Sequence, residues 1–132
     1  MSYLLDTHTL LWSLFEPSRL GRRGAEIINN ADETILVSVV SLWELSLKYA
    51  TGKLELCNVT PDDFPELVRQ AGFDVLPLVE VDAATFHRLP PLEHSDPFDR
   101  LLIWQAISRK LTFISKEKAC TAYKKQGLKV EW

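Results

Sequence analysis

The sequence predicts an α/β domain built on a small parallel sheet. Short apolar runs of strand length recur at residues 3–5, 34–38, 73–78 and 111–115, and helical stretches alternate with them. No internal repeat, low-complexity tract or linker interrupts the 132 residues, so residues 1–132 read as one domain, long enough to bury a real core.

The first strand, residues 3–5, ends at Asp6, and residues 9–15 look helical up to Pro17. Asp6-Thr7-His8 thus occupies a strand-to-helix junction, where open parallel sheets bind ligands; Asp6 equally suits a turn or a helix start. Residues 18–30 read as one helix whose Arg19, Arg22 and Arg23 form either a solvated face or a set of phosphate contacts. After the second strand, residues 39–50 form a helix capped by Ser38 or Ser41, with Gly52 just past its end. Glu44 in that helix suits a capping box with Ser41 or an i, i+4 pair with Lys48. Flanked by Leu42, Trp43, Leu45 and Leu47, its carboxylate is shielded and asks for a counter-charge, from Lys48 or from a cation shared with other acids.

Residues 53–59 connect to Thr60-Pro61-Asp62-Asp63, a proline-first helix start that leads to Gly72, and the third strand falls within residues 73–78. A short helix over 81–88 precedes the rigid turn Pro90-Pro91 into His94. Asp96 then reads as an N-cap, Pro97 as the first helical residue and Asp99 as the third, ahead of a nearly apolar helix running to about residue 109. Both acids suit the field of a helix start, which favours them by about 0.3–1 kcal/mol. Following the fourth strand, Glu117 sits at another strand-to-helix junction; residues 119–126 are helical, Gly127 closes them, and residues 128–132 form a charged, edge-like strand.

Composition narrows the function. A net charge of −3 gives no general attraction for nucleic acid, so a nucleic-acid substrate has to be held by local basic residues or by metal. Cys57 and Cys120 have no metal-ligand spacing and read as free thiols of a reducing compartment. Met1-Ser2-Tyr3-Leu4-Leu5-Asp6 carries no basic leader and meets an acid early, which predicts neither a signal peptide nor a membrane span and a cytoplasmic location.

Asp6, Glu44, Asp99 and Glu117 lie at or near junctions that right-handed crossovers bring to one edge of a parallel sheet. Four oxygen donors without matching arginines suit a hard divalent cation, Mg²⁺ or Mn²⁺; zinc is disfavoured because His8, His87 and His94 are scattered and no cysteine assists them. Such a site suits phosphodiester hydrolysis, and no serine, cysteine or histidine arrangement points to covalent catalysis. Lys48 and Arg100 are near enough in sequence to pair with these acids or to touch phosphate. A phosphatase or receiver domain fits less well: Asp6-Thr7-His8 lacks a second aspartate, and no midchain acceptor aspartate has an activating lysine.

Leu4-Leu5-Asp6-Thr7-His8, Ser41-Leu42-Trp43-Glu44-Leu45, Asp96-Pro97-Phe98-Asp99-Arg100-Leu101-Leu102-Ile103 and Phe113-Ile114-Ser115-Lys116-Glu117 together resemble the PIN domain, specifically the VapC-like toxins of toxin–antitoxin pairs. The resemblance covers essentially the whole chain. It implies a three-layer α/β/α fold and a metal-dependent endoribonuclease, with a VapB-like antitoxin as inhibitor and a homodimeric state. By motif position, Asp6, Glu44 and Asp99 match the family's metal-binding acids, and Asp96 its accompanying helix-start residue. Glu117 departs from the family's usual aspartate; it keeps the charge but lengthens the arm by one methylene, so its part in holding a second metal stays open. The other reading is a catalytically weak PIN-like module for interaction or regulation. Leu10, Leu11, Leu14 and Phe15 offer an apolar helix face either to a partner or to the core.

Overall fold

In a computed structural model that describes residues 1–92 and 96–132, five parallel strands form one sheet in the order β3-β2-β1-β4-β5. They are β1 (Ser2–Leu5), β2 (Thr34–Ser38), β3 (Asp74–Leu76), β4 (Thr112–Ile114) and β5 (Lys129–Glu131). The helices are α1 (Thr7–Phe15), α2 (Arg22–Ile28), α3 (Val39–Ala50), α4 (Phe64–Gln70), α5 (Glu80–Thr85) and α6 (Pro97–Ser108). His94 and Ser95, which the sequence places just before the Asp96 cap, lie outside the described residues.

Side chains leave a strand on alternating faces, and here each face has its own core. Tyr3, Leu5, Ile35, Val37 and Ile114 pack on one side with Leu10 of α1, Ile27 of α2, Leu45 of α3 and Phe64 and Val68 of α4. Leu4 and Phe113 pack on the other with Leu102, Ile103 and Ala106 of α6 and with Tyr123 and Leu128. The result is the three-layer α/β/α arrangement, with the central strands β1 and β4 buried on both faces and mostly apolar, and the edge strands β3 and β5 more exposed and carrying charge.

Two polar links fix α3 and α6 relative to the sheet. The Ser38 hydroxyl accepts from the Val40 N–H at 3.0 Å, capping α3, and donates to Gln105 Oε1 of α6 at 2.6 Å. Gln105 also donates to the Pro77 carbonyl, so a fully buried glutamine ties α6 to the ends of two strands.

Three expected elements differ in detail. Residues 18–30 are not one helix: Pro17–Arg19 form a 3₁₀ turn, Leu20 and Gly21 are extended, and α2 begins at Arg22. The break lets Trp132 approach, for its carbonyl accepts from the Gly24 N–H at 2.6 Å. Residues 118–126 are wound as a 3₁₀ helix, and the helix expected over 81–88 is α5 followed by a 3₁₀ turn at Phe86–Arg88. The face formed by Leu10, Leu11 and Leu14 belongs to the core; Phe15 stays exposed, edge-on to Phe64. No described helix is long and apolar enough to cross a membrane.

A Cβ at Gly21 would lie 2.4 Å from the Trp132 carbonyl oxygen and 2.6 Å from its indole ring. Gly21→Ala is therefore expected to displace Trp132 and cost about 1–3 kcal/mol in urea denaturation, the usual scale for overpacking. An unchanged midpoint would show that Trp132 does not depend on this contact.

Candidate metal centre

Asp6 is the residue at which β1 becomes α1. It caps the helix, one carboxylate oxygen accepting from the Thr7 N–H and the other from the Ser115 hydroxyl, both at 2.7 Å. Ser115 follows β4, the neighbour of β1, so the two residues meet because their strands run in parallel and in register. Burial raises the pKa of Asp6, against the lowering effects of Ser115, the His8 charge and the Thr7 N–H; the nearby Glu44 charge raises it further.

Glu44 lies one turn into α3 and is 1% exposed. The Thr7 hydroxyl donates to its Oε1 at 2.7 Å, and Lys48 forms an ion pair with Oε2. The i, i+4 pair with Lys48 is thus present, whereas the Ser41 hydroxyl, 2.9 Å from Thr7 Oγ1, donates to it instead of boxing the helix start, which Ser38 caps. Burial acts to lower the Lys48 pKa, but its hydrogen bond to Glu44 and the charges of Glu44, Asp96 and Asp99 leave it above its ordinary value.

Asp96 caps α6, accepting from the Phe98 N–H at 2.8 Å, and Asp99 occupies the first turn. Oxygen atoms of Glu44, Asp96 and Asp99 all lie within 4.8 Å of one another. Burial, then the charges of Asp6, Asp96, Glu44 and Glu117, push the Asp99 carboxyl up to about 7. Glu117, exposed beyond β4, is the outermost of these acids; its backbone N–H donates to Ser115 at 3.1 Å.

Asp96 therefore stands in the tight group, where sequence reasoning gave it a capping role only; its place at the head of the Asp-Pro-Phe-Asp run, three residues before Asp99, was the available signal. Thr7 and Ser115, which orient Glu44 and Asp6, were missed because a buried hydroxyl leaves no periodic trace. Arg100 neither pairs with the described acids nor faces them: it donates to the Leu89 carbonyl at 3.0 Å and stacks on Phe86. The arginine patch is a solvated face, with Arg19 paired to Glu16, Arg22 to Glu26, and Arg23 to Glu26 and Glu131.

The donor chemistry fits a hard divalent cation. Every candidate ligand is a carboxylate oxygen, Lys48 is the one ammonium paired with these acids among the described residues, and burial first, then this deficit of positive charge, raises the Asp99 pKa. Glu44, Asp96 and Asp99 would hold such an ion, with Asp6 and Glu117 at its border.

A parallel sheet with acids converging outside the carboxyl ends of its strands defines an α/β protein with a carboxylate site at the topological switch point. The sequence pattern of the PIN domain family matches residues 3–125. The chain is 30% identical over 124 residues to the ribonuclease VapC22 of Mycobacterium tuberculosis, covering 92% of this chain and 91% of that protein. Its fold is similar to that in the structure of VapBC2 from Rickettsia felis bound to a promoter DNA fragment (TM-score 0.66, 17% identity, 99% and 98% of the two chains). It is similar also to that of DNA-bound VapBC from Salmonella typhimurium (TM-score 0.62, 18% identity, 99% and 97%). The chain belongs to the PIN domain family, among the VapC-like members of toxin–antitoxin systems.

Two outcomes follow from this geometry. Thr7→Val leaves Glu44 Oε1 without its hydroxyl donor and is expected to cost about 1–3 kcal/mol in urea denaturation, with Thr7→Ser close to wild type. Asp99 is raised from 3.8 to about 7 on folding, so the stability from its protonation is complete below pH 3.8 and lost as pH rises through about 7. In EDTA, the wild-type Tm should drop from pH 5 to pH 8 more than that of Asp99→Asn; equal slopes would remove the deficit of positive charge assigned to the cluster.

Proposed function

We propose that the protein is a divalent-metal-dependent endoribonuclease and the toxin of a VapBC-type pair. The observation that carries this reading is the convergence of acids from four separate segments: Asp6 after β1, Glu44 in α3, Asp96 and Asp99 at the start of α6, and Glu117 after β4. Kinship with a ribonuclease matched over nine-tenths of both chains supports it. Mg²⁺ or Mn²⁺ bound there would supply a Lewis acid for the phosphodiester and lower the pKa of an attacking water.

The chain's own residues set that chemistry up. Ser115 and Thr7 hold the Asp6 and Glu44 carboxylates in fixed orientations, which limits reorganisation as charge develops. Asp99, with a pKa near neutrality in the absence of an ion, is the acid whose proton any bound cation must displace. Lys48 holds the Glu44 carboxylate in place through their ion pair. The same acids repel an RNA backbone when no cation is bound, which makes cleavage cation-dependent. A VapB-like antitoxin as partner, a homodimer and a cytoplasmic location belong to this reading.

Purified, antitoxin-free protein incubated with mixed structured RNAs and Mg²⁺ or Mn²⁺ is expected to cut them, with no products in EDTA. Asp6→Asn and Asp99→Asn should lower the rate by about 100-fold or more, the scale on which loss of one electrostatic stabiliser acts. Glu117→Gln, at the exposed border, should lower it by about 10-fold. A folded chain that neither cuts RNA nor binds metal by calorimetry would replace this reading with that of a PIN-like interaction module.

A further inference from the structure

Beside the acidic cluster lies a cleft of about 460 Å³, within the range of about 300–1,000 Å³ usual for ligand pockets. It opens between the ends of β1 and β4, where the strand order reverses direction, the place at which open parallel sheets receive ligands. Asp6 and Glu117 stand in its wall, and His8, Trp12, Lys116 and Lys118 line the remainder. An indole and two lysines thus adjoin the candidate metal centre.

We propose that this cleft is an RNA subsite, in which a base next to the cleaved phosphodiester stacks on Trp12 while Lys116 and Lys118 hold the adjoining backbone phosphates. The choice of RNA rests on the nuclease reading given above. Trp12 is braced in advance: its ring meets Trp132 edge to face at 5.7 Å and carries the Arg19 guanidinium at 4.7 Å. A ring fixed in this way loses little freedom on stacking. His8 lies against the same indole at 6.0 Å, which adds a second aromatic edge to the cleft.

The lysines are available to phosphate. Lys116 and Lys118 are exposed, Lys116 Nζ stands 5.8 Å from the Trp12 ring centre, and among the described residues no carboxylate pairs with either. The arginines of the patch at residues 19–23 all pair with acids, as a solvated face does, which sets these two lysines apart from them. Stacking on an indole needs an unpaired base, which makes single-stranded RNA or a loop the fitting form.

The test uses a fluorescein-labelled single-stranded RNA containing 5-iodouridine, bound to the Asp99→Asn chain and followed by anisotropy and photocrosslinking. Adding Trp12→Ala should weaken binding about 5- to 150-fold, the measured range for one aromatic–base stack, and Trp12→Phe should restore most of it. Lys116→Ala with Lys118→Ala, which leaves Trp12 and its packing alone, should flatten the slope of log affinity against log salt by about 0.7 per lysine. Crosslinks should map to Trp12. Unchanged affinity and slope, or crosslinks confined to Trp43 or Phe98, would overturn the subsite even if the wild type cleaves RNA. Binding at Trp12 by a chain whose wild type cuts nothing would keep the subsite and remove the nuclease, and absence of RNA binding in every form would overturn the subsite.

Discussion

One step of the β1–β4 ladder holds the acidic edge together. Leu5 pairs with Ile114, and the pairing continues one residue further as the Asp6 N–H donates to the Ile114 carbonyl at 3.1 Å. That carbonyl also receives the Thr9 hydroxyl at 2.9 Å, and the next residue, Ser115, donates to the Asp6 carboxylate. A slip of one residue would reverse Leu4 and Leu5 between the two cores and at the same time part Asp6 from Ser115. Packing and site geometry are therefore specified by the same register.

The carboxylates gathered there are costly to hold. Desolvation opposes their charge, and their mutual repulsion adds to it. The protein offsets this locally with neutral donors, Thr7, Ser115 and the helix N–H groups that Asp6 and Asp96 cap, and with a single ammonium at Lys48. Neutral donors orient an acid without cancelling its field. The cluster therefore retains its affinity for a cation, whereas an arginine in Lys48's neighbourhood would have neutralised it. Arg100, the nearest candidate by sequence, is turned away to Leu89 and Phe86.

Much of this architecture was legible in the residues because strands buried on both faces read as unbroken apolar runs, and junction acids stand out against them. Residues 34–38 and the Asp96-Pro97 helix start appear in the structure where the pattern puts them. What was not legible depends on distant contacts. The break before α2 follows from Trp132, more than a hundred residues later in the chain, and no local pattern encodes it. Asp96 and Asp99 look alike in sequence as helix-start acids; their approach to Glu44 needs α3 and α6 docked side by side, which Ser38 and Gln105 secure across the sheet. The lysines flanking Glu117 had no evident role until the reversal of strand order set them beside Trp12.

The two thiols occupy opposite environments. Cys120 is buried beneath Ser115, 3.8 Å from its hydroxyl, and burial with the neighbouring acids pushes its thiol up to about 12, so it holds its proton and is closed to alkylating reagents. Cys57 is exposed, on the connector between α3 and α4, which supplies none of the five acids of the site. The native chain thus carries one natural attachment point. A maleimide dye or a surface tether goes to Cys57 alone, and the protein can be immobilised or watched one molecule at a time with no residue replaced.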